Sequence, residues 1–135
     1  MTRVMLPDGL KTQILAEARK AFPGECCGLL EGLRDATGDE FRITALHPAR
    51  NLAAAQDRFE LAPEDHIRAL KAARANHRDL IGCYHSHPNG RAEPSESDRA
   101  GAGEENFLWL IAAGESVAAF VYFDGEFRAA IWAAA

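Results

Sequence analysis

The sequence predicts an α/β fold in which helices sandwich a mixed sheet, and three observations carry that prediction. Apolar residues recur at helical spacing in two segments, from about Asp8 to Phe22 and from Pro63 to about Asn76. Around them lie short apolar runs bounded by Gly, Asp and Asn, the pattern of strands. The elements come in the order helix, strands, helix, strand, short helix, strands, so helices and strands are interleaved rather than segregated.

Leu10, Ile14, Ala18 and Phe22 form one helical stripe, with Pro23-Gly24 as the stop, so the first helix turns these residues toward the core. Strands over about Cys27–Leu33 and Glu40–Leu46 follow. The polar stretch Arg34 to Asp39 joins them as a hairpin. A short extended piece near Arg58–Leu61 precedes Ala62-Pro63-Glu64, where a proline suits the first turn of a helix. That second helix faces Ile67, Leu70 and the neighbouring alanines inward. A strand over Asp79–His87 leads into Asn89 to Pro94, a loop rich in turn formers, and a short helix opens near Ser95. Three strands, Asn106–Ala113, Val117–Phe123 and Phe127–Ala133, complete the chain, with turns at Gly114-Glu115-Ser116 and Asp124-Gly125-Glu126.

A length of 135 residues suits a single domain, 1–135, and the chain has no internal repeat, low-complexity segment or linker. A net charge of −5 gives no broad attraction to nucleic acid or to an anionic membrane, so neither is expected as a partner. No apolar run approaches the ~20 residues that cross a bilayer. The 3 cysteines are an odd number, two of them adjacent, and the opening has no signal-like pattern. A reducing, cytoplasmic setting fits that usage. Without a Cys-x-x-Cys pair, Cys26 and Cys27 read as small buried apolar side chains, as does Cys83. Cys83 lies two residues before His85 and so on its side of the strand, a position compatible with oxidation sensitivity.

The chemistry concentrates in His85-Ser86-His87-Pro88 and Ser95-Glu96-Ser97-Asp98. On a strand, side chains alternate, so His85 and His87 project from one face. The loop after Pro88 can fold back and deliver Asp98 as a third ligand. Three protein ligands with a fourth position open describe a catalytic zinc, one per chain, rather than a closed structural site. A water bound there has its pKa lowered to roughly 7. Each half alone has a plainer reading. A His-x-His pair also occurs as surface or core histidines, and Ser95-x-x-Asp98 is also a helix N-cap pattern. His47, in a His-Pro turn, and His66 and His77, at the ends of the second helix, read as surface or capping residues.

Taken together, His85-x-His87-Pro88, six further residues and Ser95-x-x-Asp98 resemble the signature of the JAMM metalloproteases, the catalytically competent branch of the MPN domain family. The stretch Pro23 to Gly32 is similar to the family segment in which a glutamate precedes a Cys-Gly and an apolar strand, and Glu25 matches the catalytic glutamate. Asn51 and Phe59-Glu60-Leu61-Ala62-Pro63 are similar to the asparagine and the phenylalanine-to-proline stretch between the two motifs, so the likeness spans nearly the whole chain. The resemblance implies a mixed, curled β-sheet like a partial barrel, flanked by helices in a cytidine-deaminase-like sandwich.

It also implies a reaction. Water activated on zinc attacks an amide carbonyl, Glu25 takes its proton and passes it to the leaving amine, and Ser95 donates a hydrogen bond to the oxyanion. Glu31 and Glu60 are the nearest alternative bases by motif. The family's substrate class is the amide after the C-terminal Gly-Gly of ubiquitin or a ubiquitin-like protein, its tail bound along a strand edge. Eukaryotic deubiquitinating members carry insertions, whereas only six residues separate Pro88 from Ser95. That compactness resembles prokaryotic members and points to ubiquitin-like or sulfur-carrier proteins as substrates. Two other readings exist. Non-catalytic MPN scaffolds lack the metal set that this sequence keeps, and peptidases or amidases acting on small adducts or cell-wall fragments accompany further hydrolase modules.

Overall fold

The computed structural model describes residues 1–134; Ala135, the last residue of the expected domain, lies outside the described residues. The chain runs through β1 (Arg3–Met5), α1 (Asp8–Ala21), β2 (Cys27–Arg34), β3 (Glu40–Ala49), α2 (Pro63–Ala75) and β4 (Asp79–Ser86). It continues through α3 (Glu96–Gly101), β5 (Phe107–Ala113), β6 (Ser116–Phe123), β7 (Glu126–Ala129) and β8 (Ile131–Ala133). The strands form one 8-stranded sheet in the order β7-β6-β5-β4-β2-β3-β1-β8. It is mixed: β4 pairs parallel with β5, and β1 parallel with β3 and β8, while the other ladders are antiparallel.

The two edge strands, β7 and β8, are consecutive in sequence and separated by Ala130 alone. Consecutive Cα atoms lie ~3.8 Å apart, so the two margins of the sheet must meet and the sheet curls toward a closed barrel. Ala130 N–H donates to the Ala119 carbonyl of β6 at 2.9 Å, and Ile131 N–H to the Thr2 carbonyl ahead of β1 at 2.9 Å, so each margin is tied in turn.

Helices cover both faces. On one, Ile14 of α1 packs into a cluster with Leu30, Ile43, Tyr84, Leu108 and Leu110. On the other, Ala69 of α2 packs with Leu29, Cys83 and Trp109. Leu29 and Leu30 enter opposite cores because neighbouring strand residues point to opposite faces. With both faces covered, β2, β4 and β5 are almost continuously buried, and β5 is an unbroken apolar run. Gly28 has a specific reason: a Cβ there would run into the Tyr84 ring, which crosses β2 to let its hydroxyl donate to Glu17 of α1 at 2.7 Å.

Several expectations need correction. Helix α1 stops at Ala21, and Phe22, expected in the core stripe, is its C-cap and 65% exposed. Ile67 is 55% exposed rather than inward, because α2 approaches the sheet through Ala69 and Ala73 together with Asp65. Asp65 tolerates burial because Arg50 meets it through its backbone N–H at 2.8 Å and its guanidinium at 3.1 Å, and Arg68 adds a contact at 3.0 Å. His47 is not in a turn: β3 continues through Pro48 to Ala49. Beyond Arg42 the outer side of β3 has no sheet partner, which is where a strand accommodates proline. β1, only three residues long, has no pattern to announce it, and the run Phe127–Ala133 divides at Ala130. The expected extension over Arg58–Leu61 is reduced to one bridge, Asn51 to Leu61. Among the described residues no helix is long and apolar enough to cross a membrane.

Candidate metal centre

The site forms where β2 and β4 meet, with Cys27 opposite His85 in the ladder. His85 shares the α2 face of β4 with Cys83, as alternation requires. His87 follows the last strand residue, but its N–H still donates to the Ala112 carbonyl of β5 at 2.8 Å, so the backbone stays extended and the ring falls beside that of His85. The loop folds back as its turn formers suggest, with Gly90 at φ 81°. It brings the Arg91 carbonyl to 2.8 Å from His87 Nδ1. A carbonyl only accepts, so Nδ1 carries the proton and Nε2 of neutral His87 presents a lone pair to the site.

Asp98 reaches the same point through the start of α3. Ser95 and Asp98 make a capping box: Asp98 N–H donates to Ser95 Oγ at 3.1 Å, and Ser95 N–H donates to Asp98 Oδ2 at 2.9 Å. The fixed carboxylate oxygen lies 3.1 Å from Nε2 of both His85 and His87, whose Nε2 atoms are 2.9 Å apart. Zinc with ligands at ~2.0–2.1 Å in tetrahedral array separates its donor atoms by about 3.3 Å, so two imidazole nitrogens and a carboxylate oxygen 2.9–3.1 Å apart fit that ion. Phe59 stacks on His85 with ring centroids 4.4 Å apart, and Trp109 meets it edge-on at 5.7 Å.

Electrostatics follow from this crowding. Burial works to raise the Asp98 pKa, but the two imidazoles set against it outweigh burial and hold the carboxyl well below its usual range. Burial pushes His85 below the ordinary imidazole value. It acts the same way on His87, but Asp98 and the Arg91 carbonyl outweigh it and raise that group.

Glu25 stands two residues before β2, 4% exposed, with a carboxylate oxygen within 4.8 Å of the donor atoms of His85 and His87. Its Oε1 is buried without a hydrogen-bond partner. Burial pushes its pKa up to about 7, opposed by His87 and reinforced by Asp98. Such a carboxyl exchanges a proton near neutral pH. The cap uses a lone pair on Ser95 Oγ and leaves the hydroxyl hydrogen free. Ser95 lines a cleft of about 410 Å³ together with Glu25, Gln56, Asp57 and His87. A second groove of about 440 Å³ reaches Asp98 between Phe59, Leu61 and Trp109.

The structure therefore brings Glu25, His85, His87, Ser95 and Asp98 together. Glu31 lies farther along β2, buried against His47 Nε2 at 2.8 Å and Asn76 Nδ2 at 3.2 Å, and Glu60 is exposed, so neither alternative base is at the site. Cys26, Cys27 and Cys83 are free and buried, and burial pushes their thiols to about 11, to about 12 and well above the ordinary value respectively. Cys83 faces the site side but has little thiolate character. His66 and His77 are exposed. Sequence reasoning missed the stacking of Phe59 and Trp109 on His85 and the part played by the Arg91 carbonyl. A backbone carbonyl carries no sequence signal, and aromatic stacking depends on the tertiary approach of residues far apart in the chain.

Comparison with known proteins gives a consistent result. The sequence profile describing prokaryotic homologs of the JAB domain matches residues 7–124. A desampylase from Haloferax volcanii is 34% identical over 133 residues, spanning 94% of this chain and 93% of that protein. A probable TtuB-protein conjugate cleaving protease from Thermus thermophilus is 30% identical over 121 residues, spanning 90% of this chain and 77% of that one. The solution structure of a protein from Desulfitobacterium hafniense superposes with a TM-score of 0.83 at 28% identity, covering 98% of this chain and 94% of that one.

Proposed function

The chain belongs to the family of prokaryotic homologs of the JAB domain, and from that premise we propose that it is a zinc-dependent metallo-isopeptidase. Its reaction is hydrolysis of the peptide or isopeptide bond after the C-terminal Gly-Gly of a ubiquitin-like or sulfur-carrier protein, in a cytoplasmic setting. The observation that carries the reading is the convergence of His85, His87 and Asp98 donor atoms within 3.1 Å of one another, with the unpartnered Glu25 carboxyl beside them. The relatives named for desampylation and for cleaving TtuB conjugates support the substrate class.

In this reading His85, His87 and Asp98 hold one zinc per chain, which when bound supplies Lewis acidity and a nucleophilic water at neutral pH. Glu25, raised to about 7, accepts the proton released by the attacking water and returns it to the leaving amine. The free hydroxyl hydrogen of Ser95 donates to the oxygen on which negative charge develops. His87 needs its Arg91 bond to keep the Nε2 lone pair available.

The test is cleavage of a ubiquitin-like protein fused through its Gly-Gly terminus to a short peptide, with zinc content measured on the same preparation. About one zinc per chain, scission after Gly-Gly and loss of activity on chelation are expected. A preparation that binds no zinc, or that cuts the fusion equally well after chelation, overturns the reading.

A further inference from the structure

Glu25 has an unusual problem of placement. It lies ahead of β2, so no ladder pair holds its backbone, and the buried Oε1 has no hydrogen bond to fix the side chain. Its carboxyl is aimed by its own main chain, and the polar atoms of the following peptide unit are both taken by side chains. The Glu25 carbonyl accepts from Asn51 Nδ2 at 3.0 Å, and the Cys26 N–H donates to Ser86 Oγ at 2.9 Å. Ser86 N–H also donates to the Cys26 carbonyl at 3.1 Å.

We propose that Asn51 and Ser86 are positioning residues that clamp the Glu25–Cys26 peptide unit and so set the distance of the Glu25 carboxyl from the two imidazoles. The inference rests on the reading of Glu25 as the proton carrier. Ser86 sits between His85 and His87 with its side chain on the opposite face of β4, so one strand carries the imidazoles on one side and the grip on Glu25 on the other. Asn51 works from a second direction. Its Oδ1 accepts from Ala53 N–H and Glu60 N–H, both at 2.9 Å, which turns Nδ2 toward the Glu25 carbonyl. The Glu60 contact follows directly on Phe59, the ring stacked on His85, so the same amide ties the Glu25 backbone to the segment that packs the metal-facing imidazole.

The variants are Ser86→Ala, Ser86→Thr and Asn51→Asp, the last keeping the acceptor for Ala53 and Glu60 while removing the donor to Glu25 and to the Arg58 carbonyl, which it meets at 3.3 Å. Each is assayed on the Gly-Gly fusion, alone and in a Glu25→Gln background. Ser86→Ala and Asn51→Asp are expected to lower kcat ~10-fold or more with KM and zinc content near the parent's, because small misplacement of a reacting group is costly. Ser86→Thr restores the rate. In the Glu25→Gln background neither change lowers the residual rate further, since both act through the group already removed.

An equal loss in both backgrounds overturns the clamp and indicates a general structural effect. Full turnover in Glu25→Gln overturns the catalytic reading of Glu25 instead, which keeps the two failures apart. Amide hydrogen exchange is independent of turnover. Ser86→Ala should speed exchange at Cys26 ~10-fold or more while the β4 amides keep their protection, and unchanged protection at Cys26 overturns the clamp whether or not the fusion is cut.

Discussion

The two faces of the sheet are built on different terms. Under α1, Ile14, Leu30, Ile43, Leu108 and Leu110 meet as hydrocarbon, and the buried Tyr84 hydroxyl is satisfied by Glu17. At the α2 face the same sheet buries Glu25, His85, His87 and Asp98, none more than 5% exposed, and leaves Glu25 Oε1 and His85 Nδ1 without partners. Buried polar atoms are normally paired, so the orphaned Glu25 oxygen beside the imidazoles marks a place where stability is given up to keep a reactive group available. One face holds the fold, and the other holds reactive groups in position.

The contrast can be broken most severely at the proposed ligands. A His85→Ala, His87→Ala double variant should lose its zinc entirely and cut the fusion at background rate, as read by metal analysis and assay; full zinc retention would remove these residues from the ligand set. Glu25→Gln should keep zinc and lose turnover ~10²–10⁴-fold. Near-normal kcat would put the base elsewhere. Ile14→Ala tests the other face: it should cost about 2–5 kcal/mol in denaturant unfolding, with zinc content and kcat unchanged in the folded fraction. A matching loss of kcat would show that the two faces are not independent.

Ser95 is a cap in the structure and an oxyanion donor in the proposed mechanism. Ser95→Ala should lower kcat ~10²-fold, and the lost cap should take about 1 kcal/mol of stability. Unchanged turnover with that destabilisation would leave it as a cap only. The smallest effect concerns pH in zinc-free protein. The Glu25 carboxyl is raised from 4.5 to about 7 on folding, so the unfolded chain ionises first and stability falls as pH rises from 4.5 to 7. Gln carries no such charge. Glu25→Gln should therefore melt higher than the parent above pH 7, and the gap should close below pH 4.5; a pH-independent gap would remove the charge as its cause.

What the sequence revealed followed the range of each interaction. His85 and His87 share a face by alternation over three residues, and the Ser95–Asp98 spacing writes its own cap, so that half of the site was legible locally. Glu25 is sixty residues upstream of His85 and was reachable only through family resemblance. The orientation of α2 was misjudged because hydrophobicity favoured Ile67, whereas close approach to the sheet favoured Ala69 and Ala73 and a buried, arginine-paired Asp65. Strand pairing was the least legible part. Nothing local in Phe127–Ala133 says that its halves join opposite margins of the sheet, because that depends on curvature accumulated over all the strands between.

The single-residue join at Ala130 also orders events in time. The β8 ladder to β1 pairs Arg3 with Ile131, almost the full span of the sequence, whereas the β4–β2 ladder that frames the candidate site spans less than half of it. Contacts of long sequence separation carry the greater loop-closure cost and tend to form late. During synthesis from the N-terminus, His85, His87 and Asp98 emerge from the ribosome before the segment that zips the two margins does. The candidate site can thus assemble in an open sheet, with β1 as a waiting template and closure as the final step.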